Sequence, residues 1–232
     1  MKVNIGKGKR WVIADIHGCI NTLRALWQKM QVSTEDQVFF LGDYIDRGTD
    51  SGAVIDEILA WKKDFQIYTL MGNHEKMLLN SIPDKLTHYA KESNCGTLLN
   101  KNNEIFPHYF QFLNELHFYI EMPDAILVHA GLNFHAKNIF EDTESMLLLR
   151  PHWFGKNNTG KTLFHGHTPL NLEQIQQDIQ AKKNIICLDN GCVYANIKKK
   201  LFAGLGNLLA YELNSGDLCI QESQENMIFR KP

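Results

Sequence analysis

The sequence predicts an α/β fold with mixed sheets. Short runs rich in strand-forming residues recur along the chain, helix-like segments lie between several of them, and the C-terminal part alternates strand-like runs with turn residues. Alternation of strands and helices favours sheets that carry helices on their faces. In such folds, ligands bind outside the carboxyl ends of the strands.

Five of the strand-like runs end abruptly in polar residues. The runs cover residues 10–14, 37–41, 66–70, 125–128 and 162–164. The polar residues that follow them, in the same order, are Asp15 and His17, then Asp43, then Asn73 and His74, then His129, then His165 and His167. We expect these five strand ends to converge on one site.

Helices are expected over residues 22–30, 52–62 and 172–182. Each follows a residue that can cap a helix: Asn21 for the first, Asp50 or Ser51 for the second and Asn171 for the third. Beyond them, the runs at 184–188, 208–213 and 218–220 are separated by turn residues. They predict antiparallel strands that complete the fold.

The length and composition indicate one domain over residues 1–232. With 44% hydrophobic residues the chain can build a substantial core. The net charge is only -2, and the basic run at 198–200 is interpreted as a solvated turn. These features argue against nucleic-acid binding. The apolar runs are too short for a signal peptide or a membrane span.

The cysteine pattern points to a reducing compartment. The five cysteines are an odd number without a C-x-x-C pair. Neither a disulfide framework nor a zinc-thiolate site is indicated. We therefore expect reduced thiols and a cytoplasmic protein.

Six of the polar residues offer oxygen or imidazole donors for metal ions. They are Asp15, His17, Asp43, Asn73, His129 and His167. This mixed donor set suits manganese, iron, zinc or nickel. Six groups exceed what one ion needs when water and substrate also bind, so the set predicts two divalent ions bridged by Asp43. Two ions roughly 3.5 to 4 Å apart can generate a hydroxide and clamp an in-line displacement at phosphorus.

Three neighbouring residues are suited to the rest of the chemistry. His74 is adjacent to Asn73 and could donate a proton to a leaving alkoxide. Asp46 could orient and charge that imidazole, and Arg47 could hold two phosphate oxygens at once. The set predicts hydrolysis of a phosphate monoester.

The blocks that carry these residues resemble a known family. They are ADIHG at 14–18, GDYIDRG at 42–48, GNHE at 72–75, HAG at 129–131 and HGHTP at 165–169. In this order they resemble the phosphoprotein phosphatases within the calcineurin-like metallophosphoesterases. The segment LDNGCVY at 188–194 also resembles the small bacterial and phage serine/threonine phosphatases.

The resemblance implies a sandwich of two mixed β-sheets flanked by helices. It places one metal ion on Asp15, His17 and Asp43. It places the other on Asp43, Asn73, His129 and His167. Manganese is the metal that we expect, with iron, zinc or nickel as alternatives.

The resemblance also implies the catalytic roles. His74 is the expected general acid, paired with Asp46. The expected phosphate-binding residues are Arg47, Asn73 and, in the segment MLLLRP, Arg150.

Some positions depart from the family pattern. Ala14 replaces the usual glycine of the first block, while Cys95, Asn190 and the segment 195–206 differ from the commoner forms. These departures leave the substrate preference open. For His165, a supporting role behind the metal ligands and an orientation away from the metals both remain open.

The leading functional hypothesis is a serine/threonine phosphoprotein phosphatase, with a metal-bridging hydroxide as nucleophile and a phosphoprotein or phosphopeptide as substrate. The alternative is symmetrical hydrolysis of diadenosine tetraphosphate, because those hydrolases resemble the same blocks. A third reading is a non-catalytic phosphate-binding module. No membrane or nucleic-acid partner is expected, and the oligomeric state is left open.

Overall fold

The computed structural model of the protein describes residues 1–195, 197 and 202–225. The basic run at 198–200, and with it part of the unusual segment 195–206, lies outside the described residues. The assignment of residues 1–232 to one domain stays a prediction.

The strands of the described chain form two sheets. They are β1 (Arg10–Ile13), β2 (Gln37–Phe40), β3 (Gln66–Thr69), β4 (Tyr119–Glu121), β5 (Ala125–Val128), β6 (Thr162–His165), β7 (Ile185–Cys187), β8 (Asn207–Glu212) and β9 (Leu218–Glu222). One sheet has the order β3-β2-β1-β8-β9 and the other the order β4-β5-β6-β7. The predicted strand runs are confirmed to within two residues at either end, whereas β4 was not predicted.

Both sheets are mixed, as the sequence predicts. Strands β1, β2 and β3 are parallel, and β8 and β9 run antiparallel to their neighbours. In the second sheet, β4 and β5 are antiparallel, whereas β5, β6 and β7 are parallel. The expectation that the run at 184–188 is antiparallel was therefore wrong. A helix connects β6 to β7, and such a crossover returns the chain in the same direction.

The helices of the described chain flank the two sheets. They are α1 (Ile20–Met30), α2 (Ser51–Trp61), α3 (Asn73–Asn80), α4 (Leu86–Glu92), α5 (Pro107–Asn114), α6 (Thr143–Leu148) and α7 (Leu172–Gln180). Two predicted caps are confirmed: Asp50 accepts from the N–H of Ala53, and Asn171 accepts from the N–H of Gln174. No helix in this part of the chain has the length and apolarity to cross a membrane.

An apolar layer joins the two sheets. Val12, Phe39 and Leu41 from the first sheet and its strand ends pack in one buried cluster with Leu127 and Phe164 from the second. Side chains on successive strand residues point to opposite faces, so the neighbours of Val12 face the helices instead. Both faces of the central strands are thus buried, and the strand ends are held in fixed positions relative to one another.

The start of α1 differs from the prediction. The helix begins at Ile20, so Asn21 lies inside it and does not cap it, and the side chain of Cys19 makes no capping hydrogen bond. The carboxylate of Glu225 serves the helix terminus instead. It accepts from the N–H groups of Asn21 at 2.8 Å and Thr22 at 3.1 Å.

Glu225 also reaches a second loop. Its Oε2 accepts from the hydroxyl of Thr49 at 2.6 Å, two residues after Arg47. Glu225 is 2% exposed. A residue from the C-terminal end of the described chain therefore joins the N-terminus of α1 to the loop that follows β2.

Glu225→Gln should destabilise the protein by roughly 1–3 kcal/mol, because the amide places an N–H group where a buried carboxylate oxygen accepts. Urea unfolding followed by circular dichroism measures the change. Glu222→Gln, at an exposed position at the end of β9, is the matched control and should stay within about 0.5 kcal/mol of the parent. Equal stability of the two variants would contradict the capping role of Glu225.

Candidate metal centre

Asp43 lies where the strand ends meet. Its Oδ2 is 3.5 Å from Nε2 of His17, and its Oδ1 is 3.5 Å from Nε2 of His129. His17 follows β1, Asp43 follows β2 and His129 follows β5. One carboxylate from the first sheet therefore lies between imidazoles from both sheets.

The site contains two groups of side chains that could each hold an ion. One consists of His17, Asp43 and His74, and the other consists of Asp43, His129 and His167. Within each group, one potential ligand atom per residue lies within 4.8 Å of the others. Asp43 belongs to both groups, which is the arrangement that a bridging carboxylate requires.

Two further predicted ligands lie against these groups. Oδ1 of Asn73 is 2.9 Å from Nε2 of His129 and 2.9 Å from Nδ1 of His167. The carboxylate of Asp15 accepts from the backbone N–H of His167, with Oδ2 at 3.0 Å. The structure thus brings all six predicted ligand residues together, while their assignment to particular ions stays a prediction.

Backbone carbonyls set the tautomers of two imidazoles. Nδ1 of His17 is 3.0 Å from the carbonyl of Ile45, and Nδ1 of His129 is 3.0 Å from the carbonyl of Leu41. A carbonyl oxygen only accepts, so Nδ1 carries the proton and the lone pair is on Nε2, which faces Asp43. This is the second hydrogen bond that commonly orients a metal-binding histidine.

The histidines of the site favour the neutral form that metals bind. Burial, followed by the charge of Arg47, lowers the pKa of His17 well below its usual range. Burial also lowers the pKa of His129. For His167, burial and the neighbouring His129 lower the pKa to about 3. These imidazoles do not need to lose a proton before binding an ion at neutral pH.

The pKa values of two site carboxylates shift in opposite directions. Burial raises the pKa of Asp43, but the neighbouring imidazoles of His129, His74 and His17 outweigh it and hold this pKa below its usual range. Burial, together with the charges of Asp189 and Asp43, raises the pKa of Asp15. Buried carboxylates beside neutral imidazoles form a hard, negatively charged donor set that fits divalent cations.

Several site residues have strained backbones. Nine non-glycine residues in the described chain have positive φ, and five of them belong to the site: His17, Asp43, Asp46, Arg47 and His167. Such conformations cost of order 1–3 kcal/mol each and persist only where surrounding contacts impose them. Their concentration here indicates that side-chain placement takes precedence over local backbone preference.

Glu75 imposes this conformation on the loop after β2. Its carboxylate accepts four backbone hydrogen bonds, from the N–H groups of Asp43, Tyr44, Ile45 and Gly72. Glu75 is fully buried. Glu75 is the last residue of the GNHE block, and the structure shows that it holds the loop that carries Asp43.

The predicted acid and its partners are adjacent. Nδ1 of His74 lies 2.5 Å from Oδ2 of Asp46, and Nε2 of His74 lies 3.9 Å from Oδ2 of Asp43. The guanidinium of Arg47 contacts Nε2 of His17 at 2.7 Å and Nε2 of His74 at 2.8 Å. The imidazole of His74 therefore has one nitrogen on a buried carboxylate and the other facing the metal-binding groups.

The two remaining predicted residues lie at different depths. Arg150 is exposed, at the start of a short 3-10 turn, and its charge contributes to lowering the pKa of His167. His165 is buried, with Nδ1 3.1 Å from the carbonyl of Gly166 and its ring edge-on to Phe154. His165 belongs to neither potential metal-binding group.

Two residues in the C-terminal part of the described chain, Asp189 and Tyr194, contact or influence the site and were not predicted from the sequence. Burial and the nearby Asp43 raise the pKa of the Asp189 carboxyl to about 7. The ring of Tyr194 lies 5.9 Å from the guanidinium carbon of Arg47. Both belong to the LDNGCVY segment, so that block was the signal that could have revealed them.

The fold and the donor set together define a metal-dependent phosphoesterase. The chain belongs to the calcineurin-like phosphoesterase family, which matches residues 8–195. This superfamily uses a dinuclear divalent metal centre. Manganese as the ion at this centre stays a prediction.

Similar sequences include nucleotide hydrolases. The chain is 26% identical over 217 residues to the asymmetrical bis(5'-nucleosyl)-tetraphosphatase PrpE of Oceanobacillus iheyensis, a match over 80% of this chain and 84% of that protein. It is 30% identical over 99 residues to a symmetrical bis(5'-nucleosyl)-tetraphosphatase of Erwinia tasmaniensis, a match over 39% of this chain and 35% of that protein.

Two solved structures support the fold. One, described as a putative diadenosine tetraphosphatase, superposes with a TM-score of 0.67 at 21% identity and covers 96% of this chain and 97% of its own. The other, a protein serine/threonine phosphatase of Saccharomyces cerevisiae, gives a TM-score of 0.60 at 16% identity and covers 99% of this chain and 84% of its own. At these identities the similarity shows the sandwich architecture alone.

The metal-free protein should lose stability as the pH rises from about 4 to 7, partly through Asp189. In this range the folded state keeps a proton on Asp189 that the unfolded state has released, so rising pH favours unfolding. Asp189→Asn removes this contribution, which is at most roughly 4 kcal/mol. Urea unfolding of metal-stripped protein at pH 5 and pH 8 measures the difference.

The exposed Asp64→Asn serves as the control for that experiment and should follow the parent at both pH values. The role of Asp189 is contradicted if Asp189→Asn and the parent lose the same stability between pH 5 and pH 8.

Proposed function

We propose that this protein is a serine/threonine phosphoprotein phosphatase that acts through two divalent metal ions. The observation that carries the proposal is the position of His74. Its Nδ1 is hydrogen-bonded to Asp46, and its Nε2 lies 3.9 Å from Oδ2 of Asp43, the carboxylate that the two metal-binding groups share. The imidazole of His74, which we propose as the proton donor, therefore faces the carboxylate that both metal-binding groups share.

The need for such a donor favours a phosphate monoester of an alcohol. A serine or threonine alkoxide is a strong base, so its departure from phosphorus is much easier when a proton arrives at the same time. A nucleotide leaving from a polyphosphate is a far weaker base and needs little protonation. A buried imidazole–carboxylate pair beside the metal centre supports the first kind of substrate.

The side chains have distinct roles in this proposal. When bound, the two metal ions supply positive charge for the phosphate oxygens and lower the pKa of water. Arg47 presents two guanidinium nitrogens to the site and binds phosphate oxygens in parallel, and the exposed Arg150 supplies a second positive charge. His74 donates the proton, and Asp46 keeps its imidazole oriented.

A second candidate, hydrolysis of dinucleoside tetraphosphates, is favoured by sequence similarity. The Oceanobacillus iheyensis relative carries that activity in its name and matches 80% of this chain. The two candidates share the metal centre and the phosphate-binding residues, and they differ in the group that leaves.

His74→Asn should reduce kcat on a phosphothreonine peptide by roughly 10²–10⁴-fold, because the leaving alkoxide loses its proton donor. KM should change much less. Phosphate release in the presence of manganese measures both constants, and the exposed His88→Asn is the control that should keep full activity. Full activity of the His74→Asn variant would contradict the proposed role of His74 as the general acid.

Product analysis separates the substrates. Metal-stripped protein, with and without added manganese, should release phosphate from the phosphothreonine peptide only when manganese is present. ADP from diadenosine tetraphosphate would instead indicate symmetrical hydrolysis, and ATP with AMP would indicate asymmetrical hydrolysis. No product from either substrate under any metal condition would favour a non-catalytic phosphate-binding module.

A further inference from the structure

Tyr89 contacts the proposed acid pair from outside the five sequence blocks. It lies on α4, and its hydroxyl donates to Oδ2 of Asp46 at 2.5 Å. The same hydroxyl is 3.2 Å from the backbone carbonyl of His74. Tyr89 therefore contacts both members of the pair.

Both hydrogen bonds to Asp46 converge on one oxygen. Oδ2 receives Nδ1 of His74 as well as the hydroxyl of Tyr89, each at 2.5 Å. Asp46 is fully buried, and its backbone has a φ of 73°. With two donors on Oδ2, the carboxylate cannot rotate that oxygen away from His74 without breaking both contacts.

The end of α4 also binds the backbone of the same loop. The carbonyl of Ser93 accepts from the N–H of Arg47 at 2.8 Å. The side-chain amide of Asn94 donates to the carbonyl of Gly48 at 2.7 Å. Helix α4 and the turn after it therefore fix residues 46–48 by three separate contacts, of which only that of Tyr89 reaches a reactive side chain.

The phenol remains a donor at neutral pH. Burial, followed by the charge of Asp46, raises the pKa of Tyr89. A neutral hydroxyl beside a buried carboxylate is a strong, charge-assisted donor.

We propose that Tyr89 is a positioning residue for the general acid: it holds Asp46 in the orientation that keeps Nε2 of His74 directed at the leaving group. This inference rests on the proposed acid role of His74. Tyr89 contacts Asp46 and the backbone of His74, and it acts on the substrate only through them.

The expected signature is a loss of kcat whose size depends on the leaving group. A misdirected acid slows the release of a basic leaving group, whereas a leaving group that is stable as an anion departs without help. Phenyl phosphate and 2,4-dinitrophenyl phosphate are both aryl phosphate monoesters, and the phenolates that leave from them differ strongly in basicity. A defect confined to binding or folding would affect both substrates alike.

Tyr89→Phe removes the hydroxyl and keeps the ring. With the manganese-loaded protein we expect kcat to fall about 10-fold on phenyl phosphate and less than about 2-fold on 2,4-dinitrophenyl phosphate, with KM unchanged. Tyr109→Phe is the matched control, since it removes a hydroxyl that donates to Asp56 at 2.9 Å away from the site. The control should retain the parent's kcat on both substrates.

A double-mutant cycle tests whether Tyr89 acts on kcat through Asp46. In an Asp46→Asn background, Tyr89→Phe should cause less than about a 2-fold further loss on phenyl phosphate, because its partner is already changed. The proposal would be overturned if the losses of kcat caused by Asp46→Asn and Tyr89→Phe multiplied in the double variant. It would also be overturned if Tyr89→Phe alone lowered kcat equally on both substrates.

His74→Asn separates the two proposals in the same assay. If His74→Asn shows the leaving-group dependence and Tyr89→Phe does not, only the role of Tyr89 is overturned. If His74→Asn slows both substrates equally, the acid role of His74 fails, and the positioning role of Tyr89 fails with it.

Discussion

The Glu75 carboxylate accepts hydrogen bonds from the backbone N–H groups of four residues, and the loop after β2 depends on them. That loop contains Asp43, Asp46 and Arg47, each with positive φ, a conformation that such residues rarely adopt unaided. A buried carboxylate that satisfies several N–H groups at once offsets this strain. Glu75 thus holds the start of this loop, at Asp43, while the contacts from α4 and the turn after it hold Asp46 and Arg47.

The charge of the site is set by a few buried carboxylates and imidazoles. The site buries Asp15, Asp43 and Asp189 in a small volume, and the pKa of Asp15 and that of Asp189 are raised as a result. Neutral imidazoles, directed by backbone carbonyls, complete the donor set without adding charge. Such a centre is electrostatically unfavourable alone and is stabilised when divalent ions bind. Fold stability and metal binding are therefore linked through the same carboxylates.

The arrangement around His74 distinguishes ester hydrolysis from simple phosphate binding. A phosphate-binding module needs cations and hydrogen-bond donors, which the metal centre and Arg47 would provide. It has no need of an imidazole held by a buried carboxylate, as His74 is by Asp46. The family match covers residues 8–195 and leaves the substrate open, because related folds act on different phosphate compounds. The leaving group is consequently the property by which the proposed substrates differ.

The sequence alone determined the strand ends and the residues that follow them, because strand formation and the adjoining turns depend on neighbours along the chain. It also identified the caps at Asp50 and Asn171, which act over three residues. Only the tertiary structure decided the parallel pairing of β7, the capping of α1 by Glu225 and the contact of Tyr89 with Asp46. Glu225 and Tyr89 bind partners about 200 and 43 residues away, and no local pattern encodes which distant group will complete a buried hydrogen bond.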